Sequence, residues 1–94
     1  MKIEHIKYNY NQKRIRYMLN KNENGYRIIY INLTDLENKL FYLLKAGIIA
    51  KPEELSYLAK YWKIIQAISS LKEKLKNIYK IEYRINIGYI LKEK

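Results

Sequence analysis

The stretch LTDLENKLFYLL, residues 33–44, marks the point at which the chain changes from strand to helix. Before it, apolar and polar side chains alternate with a period of two, as in half-buried strands. Within it, leucines recur at the spacing of a helix, at Leu36, Leu40, Leu43 and Leu44. Thr34 and Glu37 have the spacing of a capping box, in which each side chain accepts a hydrogen bond from the other residue's amide. Because Gly47 is placed to end the helix, the pattern predicts a helix over about residues 34–46.

The segment upstream of this helix predicts an antiparallel sheet over about residues 3–31. Residues 6–10 and 15–19 alternate between apolar and polar side chains, and residues 26–31 are rich in β-branched and aromatic residues. The polar segment 20–25 ends in Asn-Gly, which tolerates positive φ and favours a hairpin turn between two of the strands.

Downstream, the pattern predicts two more helices and a closing hairpin. Pro52 suits the first turn of a helix and Glu53 and Glu54 suit its positive end, which predicts a helix over about residues 52–61. A helix over about residues 63–77 follows, with an apolar stripe at Ile64, Ile68, Leu71, Leu75 and Ile78. Trp62, where the two helices join, is expected in the core. Residues 80–92 then read as a hairpin around Asn86-Ile87, so we expect one α+β domain over residues 1–94.

Four motifs in this order resemble the winged-helix DNA-binding domain of OmpR/PhoB-type response regulators. The first helix of that family opens with Leu-Thr-x-x-Glu, its second contains a Glu-Glu-Leu segment, and its third ends in Ile-x-x-Leu-Arg-x-x-Leu. Its hairpin, the wing, contains a Gly-Tyr pair. The matching positions here are Leu33, Thr34 and Glu37, then Pro52 to Leu55, then Ile68, Leu71, Lys72 and Leu75, and finally Ile81, Gly88 and Tyr89. The resemblance implies double-stranded DNA binding, with helix 63–77 in the major groove and the 80–92 hairpin as the wing.

Departures from the family pattern shape the expected partners. The chain has no receiver domain, so regulation through an aspartyl phosphate is not expected. The loop between the second and third helices, with which some family members contact RNA polymerase, is almost absent between Lys60 and Lys63, so we do not expect that contact. A module of this length reads only a short half-site, and we therefore expect a homodimer on paired half-sites.

Charge supports a polyanionic partner. Nineteen Lys and Arg residues face nine Asp and Glu residues, which gives a net charge of +10 and an isoelectric point near 9.7. Six lysines and one glutamate lie in residues 60–80, so half of the net charge falls there. The predicted phosphate contacts in the third helix are Lys63, Lys74 and Lys76, and the predicted base contacts are Gln66, Ser69 and Ser70. The predicted contacts of the hairpin are Tyr83, Arg84 and Asn86.

Other functions find little support in the composition. With no cysteine and His5 as the single histidine, disulfides and the usual zinc sites are excluded. No glycine-rich phosphate loop and no nucleophile paired with a base is present, so we expect no enzyme, no cofactor and no bound metal. No apolar run approaches the roughly 20 residues that span a bilayer, and no signal peptide is visible, so a cytoplasmic protein is expected.

Two alternatives to DNA binding remain open. The first is a protein-interaction module, such as a small inhibitor or decoy whose basic face binds an acidic protein partner. The second is a basic amphipathic helix lying on an anionic membrane. The second is disfavoured, because the apolar stripe of helix 63–77 is needed for a core.

Overall fold

The computed structural model describes residues 2–20, 25–47 and 51–94. The chain divides into two compact units, Met1–Thr34 and Asp35–Lys94. The expectation of a single domain over residues 1–94 stays a prediction. The first unit is a three-stranded sheet, and the second contains the helices and a two-stranded sheet.

The first unit is an antiparallel sheet in the order β1-β2-β3, formed by Lys2–Asn9, Arg14–Asn20 and Tyr26–Asn32. The three predicted strands are thus confirmed. Ile15 and Tyr17 are buried on one face of β2, while Arg14 and Arg16 point to the other face. The predicted Asn-Gly turn lies mostly outside the described residues, because only Asn20 and Gly25 of that segment are described.

A β-bulge interrupts the pairing of β1 with β2. Glu4 pairs with Met18 but Lys7 pairs with Arg16, so two residues of β1, His5 and Ile6, lie opposite the single residue Tyr17 of β2. His5 has a φ of 55°. The extra residue brings Ile3 and Tyr8, five positions apart, onto the same face of the sheet, where they pair with Leu19 and Ile15. Without the bulge, a period of two would place them on opposite faces.

The second unit is built on two α-helices, α1 over Asp35–Lys45 and α2 over Tyr61–Leu75. Its hairpin is formed by β4, Tyr79–Arg84, and β5, Gly88–Glu93, as the sequence predicted. Asn86 in the connecting turn has a φ of 67°, a conformation that asparagine adopts more readily than most residues. The core of this unit consists of buried apolar residues: Leu40, Phe41, Leu55, Ile64, Ala67, Ile68, Leu71, Leu75, Ile78, Tyr79 and Ile81.

The three-helix winged-helix architecture predicted from the sequence is wrong. In place of the helix expected over residues 52–61, the chain forms one 3-10 turn over Pro52–Leu55 and then irregular turns. Pro52 and Leu55 are buried, whereas Tyr57 is exposed and Leu58 and Ala59 are only half-buried. A three-residue spacing puts both buried residues on one side of a 3-10 turn. Since little apolar surface beyond them is buried, tertiary packing does not support a longer helix.

Candidate nucleic-acid interface

The buried side of α2 decides which of its residues can meet a partner. Ile64, Ala67, Ile68, Leu71 and Leu75 are buried, as the apolar stripe predicted for most of them. The opposite side is a line of residues spaced three and four apart, which we call the outer line of α2. The outer line consists of Trp62, Gln66, Ser69, Glu73 and Lys76, all of them exposed.

The outer line includes three of the residues predicted to contact DNA, Gln66, Ser69 and Lys76. Glu73 lies among them, and Lys76 Nζ donates a hydrogen bond of 2.9 Å to its Oε1. This hydrogen bond and the negative charge of Glu73 raise the pKa of Lys76. The charge of Lys76 is therefore partly offset in the free protein. Trp62 was expected in the core, but 54% of its surface is exposed, because it lies on the side of α2 opposite the buried stripe.

Three more predicted residues, Lys63, Ser70 and Lys74, lie on the flank of α2 that is nearer α1. Lys74 Nζ donates a hydrogen bond of 2.6 Å to Oε1 of Glu37, a residue of α1 whose side chain is only 3% exposed. Lys74 thus neutralises a buried carboxylate within its own unit. Lys63 is exposed, with its ammonium 5.5 Å from the centre of the Trp62 ring, and Ser70 is half-buried.

The hairpin lies on the other flank of α2, beside Lys72. Lys72 Nζ is 5.8 Å from the centre of the Tyr89 ring, and the Tyr89 and Tyr83 rings are 5.0 Å apart. Burial raises the pKa of the Tyr89 hydroxyl, and the nearby Tyr61 and Tyr83 raise it further. Tyr83, predicted as a contact, therefore belongs to an aromatic cluster that a lysine of α2 covers.

The outer face of the hairpin is a second basic surface. Glu82 is surrounded by Lys80, Arg84 and Lys92, with nitrogen–oxygen distances of 3.3, 3.6 and 3.2 Å. Hydrogen bonds from Lys92 and Lys80 lower the pKa of the Glu82 carboxyl. One carboxylate facing three cations leaves this surface positive. At the tip, Asn86 is exposed between Ile85 and Ile87, and Ile85 is 80% exposed.

The nine predicted contacts therefore do not form one surface. The outer line contains Gln66, Ser69 and Lys76; the flank nearer α1 contains Lys63, Ser70 and Lys74; and the hairpin contains Tyr83, Arg84 and Asn86. Lys72 lies between the outer line and the hairpin, yet it is not among the contacts predicted from the sequence. Its place after Leu71, where the resembled family has an arginine, was the one signal that pointed to it.

Within the described residues, no group of three or more His, Cys, Asp or Glu side chains is arranged to hold a metal ion. No helix in the same part of the chain combines the length and apolar character needed to cross a bilayer. Comparison with known proteins adds no relative: no protein-family model, curated protein or solved structure matches this chain.

Proposed function

We propose that this protein binds double-stranded DNA, with the outer line of α2 in the major groove and the β4–β5 hairpin against the adjacent backbone. The observation that carries the proposal is the contact of Lys72 with Tyr89, which places the hairpin directly beside the outer line. Among the described residues, Lys60, Lys63 and Lys72 form no ion pair. Their charges are available to phosphates, which contribute most of the affinity of such complexes.

The dimensions and chemistry of α2 support this proposal. The major groove is about 12 Å wide and admits an α-helix. Gln66 and Ser69 are exposed on the outer line, and a glutamine side chain can pair with adenine through two hydrogen bonds. On the hairpin, Arg84 would meet a phosphate or the minor groove, where a narrow groove strengthens the negative potential that attracts arginine. The sequence preference of the complex would then depend on Gln66 and Ser69, and its affinity on the lysines.

We expect Lys72→Ala to weaken binding to all duplexes alike. A lysine that neutralises one phosphate contributes about −0.9 to the slope of log K against log salt, so the variant should have a slope flatter by about that amount. The measurement is fluorescence anisotropy of a labelled duplex, titrated at several salt concentrations. Lys39→Ala removes the same charge from the exposed side of α1 and serves as the matched control. Equal flattening in both variants would contradict the placement of DNA at Lys72.

Gln66→Ala should act on sequence preference instead of charge. With one side-chain base contact removed, we expect the preference at one base pair to be lost, at a cost of about 1–3 kcal/mol on the preferred duplex. The salt slope should stay unchanged, because no phosphate contact is removed. Selection of bound sites from a random DNA pool, before and after the substitution, measures the preference. An unchanged preference would move the base-reading role away from Gln66.

One observation favours binding to an acidic protein as the second candidate function. Exposed apolar side chains accompany the cations: Trp62 lies beside Lys63, and Ile85 and Ile87 are at the hairpin tip, where Ile85 directly follows Arg84 in the chain. Aromatic residues beside cations are also common at protein interfaces. Absence of duplex binding near 50 mM salt, where phosphate contacts are strong, would contradict DNA binding and leave this alternative.

A further inference from the structure

The sheet of the first unit has a strongly basic face, opposite the face on which Ile15 and Tyr17 are buried. Two neighbouring rows on this face, at the end away from Glu4, hold three of its basic residues. In one row, Arg16 pairs with Lys7 on one side and with Tyr30 on the other. In the next row, Arg14 pairs with Asn9 and Asn32. Like charges directly opposite each other destabilise a sheet, so the Lys7–Arg16 pair does not stabilise the fold.

These residues surround a pocket of about 360 Å³, which we call the sheet pocket. Its lining includes Lys7, Asn9, Gln12, Arg14, Arg16 and Tyr30. No carboxylate belongs to the described lining, and within the described part of the chain none of its three cations forms an ion pair. The volume lies within the range of small-molecule sites, about 300–1,000 Å³. The sheet pocket therefore has the size and charge of a site for a small anion.

Arg14 has an incomplete set of partners. Its guanidinium lies over the Tyr30 ring, with Cζ 5.0 Å from the ring centre. Its Nε is buried and has no hydrogen-bond acceptor among the described residues. Buried donors are nearly always paired, because leaving one unpaired costs folding free energy. An anion bound beside Arg14 would supply the missing acceptor.

The turn that contributes Gln12 to the sheet pocket is held in place by hydrogen bonds. The Gln12 amide donates to Asn9 Oδ1 at 3.0 Å, and the Lys13 amide donates to the Tyr10 carbonyl at 3.1 Å. The Leu33 amide donates to the Lys13 carbonyl at 2.8 Å, which ties the turn to the end of β3. With Oδ1 of Asn9 engaged, the remaining polar end of that side chain is its donor group. A fixed pocket rich in donors loses little entropy when it binds an acceptor-rich ligand.

We propose that the sheet pocket binds a small phosphorylated ligand of about the size of a mononucleotide. Arg14, Arg16 and Lys7 would hold its phosphate oxygens, since a guanidinium presents paired donors that match a phosphate. The proposal does not depend on DNA binding by α2, because the pocket lies wholly within the first unit. A small ligand fits better than a duplex because the site is a pocket on the sheet rather than a continuous groove.

The test is a titration of the ¹⁵N-labelled protein, followed by amide chemical shifts at about 150 mM salt. The probes are ADP, inorganic pyrophosphate and adenosine. We expect ADP and pyrophosphate to shift the amides of Lys7, Asn9, Arg14 and Arg16 with saturation, and adenosine, which has no phosphate, to leave them unchanged. No saturable shift with either phosphate probe up to about 10 mM, weaker than most specific ligands, would overturn the proposal. Shifts of the same amides with a duplex alone would also overturn it and would assign this face to DNA.

Variants make the test specific for the pocket. Arg16→Gln and Lys7→Gln should each weaken ADP binding about tenfold or more, the effect of losing a hydrogen bond to a charged group. Lys7 is exposed, so its replacement should not disturb folding. Arg27→Gln is the matched control, because the substitution removes the same charge from the other face of the same sheet, where Arg27 pairs with Leu19. An equal loss of affinity in Arg27→Gln would show general attraction of anions and overturn the site.

Discussion

Lys74→Met should lower the free energy of unfolding by about 3 kcal/mol, the low end of the range for breaking a buried ion pair. The low end applies because the Lys74 side chain is 34% exposed, whereas that of Glu37 is 3% exposed. Methionine keeps the length and packing of the lysine stem but leaves the Glu37 carboxylate without this cation. Urea denaturation monitored by circular dichroism gives the value.

Two further variants separate the ion pair from a general effect of charge. Lys76→Met removes a lysine paired with exposed Glu73 and should leave the denaturation midpoint unchanged. The double variant Glu37→Gln/Lys74→Met should recover part of the loss, because the buried negative charge that Lys74 offsets is then removed as well. A double variant as unstable as the sum of both single ones would mean that the pair contributes nothing beyond packing. Weaker DNA binding by a Lys74 variant must therefore be compared at equal folded fraction.

Leu71→Ala is the second substitution with a large expected effect, a loss of about 2–5 kcal/mol in the free energy of unfolding. Leu71 is fully buried on α2 among Ile64, Ile68 and Leu75, so the truncation leaves a cavity that rigid neighbours fill only in part. Ser69→Ala, on the exposed outer line, should change stability by about 0.5 kcal/mol or less. Thermal unfolding of the two variants beside the parent provides the comparison. If both melt like the parent, the buried side of α2 has been assigned wrongly.

Periodicity predicted the fold well wherever burial follows a regular repeat. The stripe from Ile64 to Leu75 is buried along its length, and the hairpin around Asn86 forms where the sequence placed it. The failure came at residues 52–61, where local signals at Pro52, Glu53 and Glu54 describe how a helix begins. Such signals do not say whether enough apolar surface is buried to continue it. Tyr57 is exposed, so too little apolar surface is buried here to continue the helix.

The candidate site could be predicted only in part, because sequence distance hides its contacts. The exposure of Gln66 and Ser69 follows from helical spacing and was predicted correctly. The pairing of Lys74 with Glu37 joins residues 37 positions apart, and no local pattern indicates it. Likewise, Lys72 lies beside Tyr89 because the hairpin packs on that flank of α2. The order of the elements along the chain does not determine on which flank the hairpin packs. The alternation of side chains in the sequence already puts Arg14 and Arg16 on one face of their strand. Only the register of the three strands shows that Lys7 lies on the same face beside them.

The bulge at His5 also bears on how the chain behaves at high concentration. In the order β1-β2-β3, β1 is at the edge of its sheet, and an edge strand offers unpaired amides and carbonyls to a neighbouring molecule. Strand addition of the kind that leads to fibres needs an uninterrupted row of these groups. The positive φ of His5 breaks that row in the middle of β1, and the exposed Lys2 and Lys7 add charge repulsion between copies. The same irregularity that aligns Ile3 with Tyr8 thus disfavours growth of the sheet at its β1 edge.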